Sequence, residues 1–378
     1  MFPRTADQLL FEETTQKFLD AECSLDTVRD LGSTSSGFEA AYWKRGAELG
    51  WTSLVVPESA GGGSVSDQGV KDLALVAYQF GMHAAPGPLL GSNVVAAALG
   101  RWGSAEQQAD TLSALVSGEE IGAWALAENP PNDTLGTIVL RATPTDGGYL
   151  LAGSKSPVES GVEAKNFLVT ATGDSGLSQF LVPADTPGLR VTRLNSLDMT
   201  KRFAHLEFDG VQVLASTLVG QAGSADQAVD WLTDLAVAIQ LAEMCGAMRW
   251  AFDTTLEWSF NRYSFGRPLA SYQEIKHRFA DMKMWLEASL AVAAQAADAV
   301  DRDTPDRSDI VSAGKFYVGR YGLELLQDCV QMHGGIGITF DHHLHMFLRR
   351  VSTDSMLFGT PGQHAARLTD LHAAREVA

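Results

Sequence analysis

The sequence predicts an α+β protein in which a block of helices, a block of strands and a second block of helices follow one another. Up to about residue 122, apolar residues recur at helical spacing, as in GFEAAYWKRGAELGW and DLALVAYQFGMHAA. The chain then changes to short β-branched or aromatic runs bounded by Gly, Pro and Asp, such as AKNFLVTATG and AHLEFDGVQV. The helical pattern returns at about residue 223. Because strands and helices do not alternate, we expect a sheet separate from the helices.

These changes of pattern divide the chain into three predicted domains. They are an N-terminal helical domain over residues 1–122, a central β domain over 123–222 and a C-terminal helical bundle over 223–378. In the last of these, DWLTDLAVAIQLAEMCGAMRWAFDTTLEWSFNR contains no proline and predicts one helix of about nine turns. A helix of this length and apolar content is most easily stabilised inside a bundle.

Composition and charge narrow the classes of function. The 378 residues are 45% hydrophobic, enough for substantial cores, and 46 acids against 28 bases give a formal net charge of −18. No block of Lys or Arg could neutralise successive phosphates, so nucleic acid is not an expected partner. The three cysteines are far apart and outside any CxxC pattern, which is typical of a reducing cytoplasm. We expect no secretion signal and no membrane span, and we predict a cytoplasmic location.

The stretch RYSFGRPLASYQEIKHRFADM predicts a rigid corner between two helices. One helix is expected to end at Gly266 and the next to begin after Pro268. Arg262 and Phe265 would then point outward, and Gln273 follows in the next helix. An arginine, an aromatic face and an amide suit an anionic, planar ligand such as a dinucleotide, although the spacing fits a solvent-exposed corner equally well.

The stretch QMHGGIGIT, residues 331–339, is a second candidate ligand loop. The backbone N–H groups around Gly334 and Gly335 could approach a phosphate or an adenine closely, but glycines also end helices. Because a helix is expected before this loop, it does not fit the dinucleotide fingerprint, which follows a strand.

The stretch DHHLHMFLRR raises the question of a metal site. Asp341, His342 and His345 are close in sequence, and the two histidines would share a helical face. Zinc sites usually add cysteines or a distant further ligand, and neither is evident here. We therefore expect no metal and interpret these residues as polar histidines at the start of a helix.

Taken in order, several stretches resemble the acyl-CoA dehydrogenase family, and the resemblance covers nearly the whole chain. They include WKRGAELGWTSLVVPESAGGG, GSKSPVESGVEAKNFLVTA, RYSFGRPLASYQEIKHRFADM, QMHGGIG and LFGT. The resemblance implies the acyl-CoA dehydrogenase fold: a helical N-terminal domain, a central β domain and a C-terminal four-helix bundle, assembled as a tetramer with FAD bound across subunit boundaries. It also implies α,β-dehydrogenation of an acyl-CoA thioester, in which a carboxylate removes the Cα proton, the flavin accepts hydride from Cβ, and an electron-transfer flavoprotein takes the electrons.

The resemblance places the catalytic base at one of two positions, and this chain has no carboxylate at either. In much of the family the base is the glutamate before the Gly-Thr of LFGT, where this chain has Phe358. Other members carry it on the long helix, at the position of Leu235 or Ala236. Weak candidates remain in Glu243, about two turns further along, and Asp234, which is adjacent but on another face. We favour a buried structural role for Glu243 and a solvated helix position for Asp234.

Other departures affect the flavin position of this subunit itself. Where the family has Thr-Glu-Pro followed by Ala-Gly-Ser-Asp, this chain reads LAENPPNDT, and Ala127 replaces a hydroxyl. Pro157 and Glu159 take the places of an aromatic residue beside the flavin and of a Ser or Thr near its reactive edge. A carboxylate at that edge would disfavour the reduced, anionic flavin.

By contrast, the residues that family members donate to the FAD of a neighbouring subunit are retained: Arg262, Phe265, Gln273, Gln331, Gly334 and Gly335. Thr360 persists as well, although Gly362 replaces a glutamine expected near the adenine and Gln363 lies next to it. The resemblance therefore indicates that the residues donated to the FAD of a neighbouring subunit are better preserved than those around this subunit's own flavin.

These observations favour a base-lacking partner subunit of an α2β2 acyl-CoA dehydrogenase, resembling the actinobacterial pairs that act on steroid side-chain CoA thioesters. One alternative is a self-sufficient acyl-CoA dehydrogenase, a homotetramer with an unusual base such as Glu243. Another is a non-redox, CoA-binding scaffold built on the same fold. The sequence does not identify the acyl group.

Overall fold

The computed structural model describes residues 4–128 and 137–377, and its N-terminal part is helical. The loop VVPESAGGGSV contains only a short 3-10 turn, Glu58–Ala60. The helices of this part are α1 (Ala6–Glu22), α2 (Leu25–Leu31), α3 (Ala40–Glu48), α4 (Gly69–His83), α5 (Leu89–Trp102), α6 (Ala105–Gln107) and α7 (Ser113–Val116).

An eight-stranded sheet forms the centre of the chain. Its strands are β1 (Gly122–Ala125), β2 (Arg141–Thr145), β3 (Gly148–Glu159), β4 (Asn166–Gly173), β5 (Gly176–Pro183), β6 (Leu189–Leu194), β7 (Phe203–Leu214) and β8 (Leu218–Val219). Their order is β6-β7-β3-β2-β4-β5-β8, and β1 pairs with β4 in parallel. One face of the sheet buries its own apolar cluster, which includes Phe167, Phe180 and Leu206.

The C-terminal part is again helical: α8 (Asp226–Asn261), α9 (Gln273–Asp301), α10 (Arg307–His333), α11 (Leu344–Met356) and α12 (Pro361–Val377). Helix α8 is long and apolar enough to span a membrane by length and composition alone. However, 89% of its most apolar window is buried inside the protein, as expected for a core helix.

The corner after α8 differs from the prediction that a helix ends at Gly266. Helix α8 ends at Asn261, and two short strands, β9 (Tyr263–Ser264) and β10 (Arg267–Pro268), form a hairpin. Its two-residue loop is Phe265-Gly266, and both residues have positive φ, 49° and 79°. A tight hairpin with two left-handed central residues satisfies the backbone better than a helix cap does, and it holds Phe265 at the tip.

Helices α4 and α8 approach each other unusually closely, and this contact positions one side of the candidate site. A Cβ added to Gly81 of α4 would lie 1.9 Å from the carbonyl oxygen of Glu243, and one added to Gly246 of α8 would lie 2.0 Å from the carbonyl oxygen of Tyr78. Only glycine permits this approach of the two backbones. The contact joins the N-terminal block of helices to the C-terminal one beside Glu243.

Candidate active site

The first candidate group of residues lies on the surface, at the end of the helical bundle where α8 and α10 terminate. The Phe265 side chain is 98% exposed at the hairpin tip, and Arg262 and Gln273 are exposed beside it. The Arg262 guanidinium lies 5.9 Å from the ring centroid of Trp258. The hairpin therefore presents an aromatic ring, a cation and an amide outward.

The glycine loop belongs to the same end of the bundle. Gln331, Gly334 and Gly335 are exposed at the end of α10. Apart from the adjacent residues, no heavy atom of residues 4–128 and 137–377 lies within 4 Å of a Cβ built on either glycine. Gly334 has φ +66° and ψ −142°, a conformation essentially restricted to glycine. The rings of Trp258 and His333 stack at 5.1 Å, so the hairpin and the glycine loop are in contact through their supporting helices.

Thr360 does not join this group. It caps α12: its hydroxyl accepts from the Gln363 N–H at 3.2 Å, and its own N–H donates to Oε1 of Gln363 at 2.8 Å. His364, in the first turn of α12, bonds to Ser312 near the start of α10. Since α10 runs to His333, Thr360 lies about 30 Å along the bundle from the glycine loop.

The two family positions for a base are filled by apolar side chains. Leu235 and Ala236 are completely buried in α8. The Phe358 ring stacks on Trp124 of β1, with centroids 5.6 Å apart and planes 17° apart. The Phe358 carbonyl accepts a hydrogen bond of 2.9 Å from Nε2 of His364, whose burial lowers its pKa to about 3.

Glu243 is part of a buried ionic cluster. Its Oε2 lies 3.0 Å from Nζ of Lys201, and Oε1 contacts the Arg350 guanidinium. Burial alone would raise the pKa of Glu243, but Lys201 and Arg350 outweigh it and hold that pKa below its ordinary value. A base for a weakly acidic carbon needs a raised pKa, so this environment opposes that role.

Lys201 lies at the centre of this cluster. Its Nζ is 2.8 Å from Asp354, 3.0 Å from Glu243 and 3.4 Å from Glu159. Burial would lower the pKa of Lys201, but these three carboxylates raise it above its ordinary value. Glu159 keeps one oxygen, Oε2, without a hydrogen-bond partner in the described part of the chain, and its burial raises its pKa.

Two further cations complete the buried network. The Arg350 guanidinium also contacts Asp198 at 3.1 Å and the Thr200 hydroxyl. Nζ of Lys315 donates to Gln240 at 2.7 Å and to the carbonyl oxygen of Leu357 at 2.9 Å. Burial lowers the pKa of Lys315 to about 7.

Asp234 has a different environment from the one predicted. It is completely buried instead of solvated, which corrects that expectation. One oxygen accepts from Arg307 at 3.1 Å and Ser308 at 2.6 Å, and the other from Arg367 at 2.9 Å. The acid ties α8 to α10 and α12, and its helical position next to Ala236 gave no indication of these partners.

The segment that follows β1 is anchored by a buried lysine. Nζ of Lys155 donates to Glu128 at 2.8 Å and to the Leu126 carbonyl at 3.0 Å, and burial lowers the pKa of Lys155 to about 8. Ala127 accepts a backbone bond from Ser156. The rest of LAENPPNDT, from residue 129, lies outside the described residues.

His342 and His345 do not converge on a common point. Nδ1 of His342 accepts from the Leu344 N–H at 3.2 Å, while the ring of His345 faces Phe340, with centroids 4.7 Å apart. Burial lowers the pKa of each histidine to about 4. In residues 4–128 and 137–377, no group of three or more His, Cys, Asp or Glu side chains is placed to hold a metal ion.

The ionic cluster was not anticipated from the sequence, although one signal was present. Arg350 and Asp354 are spaced four residues apart and recur on the same face of α11 as the buried Phe347. Charged residues on an apolar helical face indicate buried ion pairs. No comparable pattern marks Lys201, which lies in a loop before β7.

The chain matches known proteins along its length. The acyl-CoA dehydrogenase N-terminal domain model matches residues 5–119, and the acyl-CoA dehydrogenase C-terminal domain model matches residues 235–369. The chain is 33% identical over 354 residues to acyl-CoA dehydrogenase FadE27 of Mycobacterium tuberculosis, covering 91% of each protein. The chain belongs to the acyl-CoA dehydrogenase family. The predicted family and fold are thus confirmed. The members of this family are FAD-dependent oxidoreductases.

Two solved structures of this family are assemblies with two named components. A chain of the ChsE4-ChsE5 complex from Mycobacterium tuberculosis matches with a TM-score of 0.89 and 28% identity, covering 99% of both chains. A chain from a variant of the Tcur3481-Tcur3483 steroid ACAD matches with a TM-score of 0.89 and 27% identity, covering 98% of this acyl-CoA dehydrogenase and 99% of that chain.

The exposed residues that would face the FAD of a neighbouring subunit, here called the donated half-site, fit that cofactor. The glycine loop of this acyl-CoA dehydrogenase leaves open space where a Cβ would stand, so phosphate oxygens could approach its N–H groups. Arg262 could pair with a diphosphate, and Phe265 presents a ring for stacking. FAD bound there would supply the hydride acceptor, while these residues would bind and orient it.

The position beside Glu159, where the resemblance places the reactive edge of this subunit's own flavin, does not fit a flavin ring. The cavity beside Glu159, Thr200 and Lys201 has a volume of only about 10 Å³, near the minimum for one water molecule. A flavin ring or a thioester there would displace a lysine that three carboxylates hold.

Proposed function

We propose that this acyl-CoA dehydrogenase is the base-lacking partner in an α2β2 assembly and completes the FAD site of a catalytic subunit. The catalytic subunit would carry the glutamate and bind the acyl-CoA thioester. FAD is the proposed cofactor, and an electron-transfer flavoprotein is the proposed acceptor of its electrons.

The ionic cluster is the observation that carries the proposal. Both usual base positions are apolar, and Glu243, the candidate acid two turns along the same helix, is held ionised by Lys201 and Arg350. Moving Glu243 onto a substrate would take one carboxylate partner from each of two buried cations, at a cost of several kcal/mol. A catalytic role for Glu243 would require that rearrangement in every turnover.

The exposed half-site supports the other part of the proposal. Arg262, Phe265 and Gln273 face away from the chain's own core, together with the glycine loop. Residues aimed outward cannot serve a cofactor bound inside the same subunit, but they suit a cofactor on a neighbour. Two similar structures have two components, and one of them is a steroid ACAD, which favours steroid-derived acyl-CoA substrates for the pair.

Expression of the chain alone and together with a second family member encoded beside it tests this proposal. Mass, FAD content and dehydrogenation of a sterol-derived and a straight-chain acyl-CoA are measured for both preparations. The expected result is a colourless, inactive single chain and a yellow, active α2β2 complex with one FAD per pair.

Two other outcomes favour the alternatives. Yellow, active protein from this chain alone would favour a self-sufficient homotetramer and refute the partner role. Flavin in neither preparation, with retained CoA binding, would favour a non-redox scaffold.

The contribution of the donated half-site is tested separately. Arg262→Ala in the pair is expected to remove FAD, because its charge is no longer available to the diphosphate. Arg320→Ala is the control, since Arg320 is exposed on α10 and forms an ion pair with Glu324 of the same helix. Equal FAD content in the two variants would contradict the assignment.

A further inference from the structure

The hairpin and the glycine loop are about 70 residues apart in sequence, yet a single stack of two rings connects them. Trp258 lies in the last turn of α8, just before Arg262, and His333 is the last residue of α10, just before Gly334. Their ring centroids are 5.1 Å apart and their planes differ by 22°. No other ring stack joins the ends of α8 and α10 among the described residues.

The imidazole of His333 is held in one orientation. Its Nδ1–H donates to the Cys329 carbonyl at 2.8 Å, because a carbonyl can only accept. Burial lowers the pKa of His333, and in the neutral ring Nε2 is then the nitrogen without a proton. His333 is only 5% exposed, and the ring of His342 lies against it with centroids 4.5 Å apart and planes 54° apart.

Trp258 contacts the hairpin as well as His333. The Arg262 guanidinium lies 5.9 Å from the Trp258 ring centroid, within range of a cation–π interaction. Nε1 of Trp258 and Nε2 of His333 have no hydrogen-bond partner in the described part of the chain. The two rings are thus held together by the contact of their faces and not by hydrogen bonds. An apolar ring in place of His333 should therefore keep the stack equally well.

We propose that His333 is a positioning residue that aligns the two parts of the donated FAD half-site through its stack on Trp258. The inference rests on the proposed function, because it assigns the purpose of the alignment to the cofactor of a neighbouring subunit. His333 itself is buried and would contact neither flavin nor substrate.

Three variants separate contact from polarity and from general packing. His333→Ala removes the stack, and His333→Phe keeps a ring but removes both nitrogens. Tyr321→Ala is the matched control: it breaks a comparable stack between α10 and α9, with Trp285 at 5.5 Å, about 18 Å from His333 along the helix.

The first measurement is the dissociation constant of FAD from the α2β2 complex. We expect His333→Ala to weaken binding about tenfold, the size of one aromatic pair, while His333→Phe and Tyr321→Ala stay within about twofold of wild type. Rescue by phenylalanine is the result that a merely destabilising change would not produce. An unchanged constant for His333→Ala, or an equal loss for His333→Phe, would overturn the proposal.

The second measurement uses the chain alone and does not require the partner. Amide hydrogen exchange is followed in the segments 258–266 and 331–338. His333→Ala should raise exchange in both segments together, whereas His333→Phe should raise it in neither. If the wild-type pair carries no FAD, the proposed function fails. The exchange data then decide by themselves whether His333 links the two segments, and independent exchange would refute the link.

Discussion

Glu243→Gln is expected to destabilise the chain without reducing turnover of the paired enzyme. The carboxylate lies 3.0 Å from Nζ of Lys201 and also contacts Arg350, and all three side chains are buried. At an effective dielectric constant of about 20, one ion pair at this distance has a gross energy of about 5–6 kcal/mol. Part of this energy is offset because a neutral glutamine avoids the cost of burying a charge and keeps some of the hydrogen bonds. We expect a net loss of about 3–5 kcal/mol in the free energy of unfolding.

Urea unfolding of the single chain measures this loss, and steady-state dehydrogenation by the α2β2 complex measures turnover. Glu257→Gln is the control, because Glu257 is an exposed acid on the same helix and should change stability by less than about 0.5 kcal/mol. A general base contributes a factor of about 100 to 10,000. A fall of that size in turnover, with FAD content and mass intact, would show that Glu243 is the base and that the reasoning is wrong.

Three further predictions concern other buried groups. Burial lowers the pKa of His364 to about 3, so the folded chain binds fewer protons than the unfolded chain below about pH 6.5. The contribution of His364 to the free energy of unfolding is therefore present above that pH and is lost toward pH 3. In acid denaturation, His364→Gln should reduce the slope of this free energy against pH by up to about 1.4 kcal/mol per pH unit. An unchanged slope would contradict the prediction. Asp234→Asn should cost about 3 kcal/mol in urea unfolding, because Arg307 and Arg367 lose their buried partner, while FAD content of the pair stays unchanged. Phe358→Glu should give the single chain no dehydrogenase activity, since no flavin ring fits beside the cluster; measurable turnover would refute that reading.

Much of the fold follows from periodicity and turn chemistry. The long helix was predicted because its sequence has no proline, and the structure shows one helix from Asp226 to Asn261. The strand runs AKNFLVTATG and AHLEFDGVQV likewise correspond to β4 and β7. The corner at Gly266 was mispredicted because a glycine after a helix fits a helix cap and a hairpin loop equally. Only the pairing of Arg267 with Ser264 distinguishes them.

The sequence predicts the residue types at the candidate site better than it predicts the contacts between them. The sequence reveals that Phe358 and Ala236 are not acids, and local spacing places Arg262 and Phe265 on one corner. The contacts of Lys201 with Glu243 and Asp354 join residues 42 and 153 positions apart, and no local pattern encodes such pairs. The solvated position predicted for Asp234 was wrong for the same reason, because its partners lie on α10 and α12.

The glycine contact between α4 and α8 has a consequence for how the molecule holds together. Gly81 and Gly246 fasten a helix of the N-terminal part to the longest helix of the C-terminal part. A fragment that ends near residue 122 would expose the apolar side of α4, and a fragment that begins near 223 would expose that of α8. Heat or denaturant should therefore melt both regions in a single cooperative step, and neither piece should fold when produced by itself.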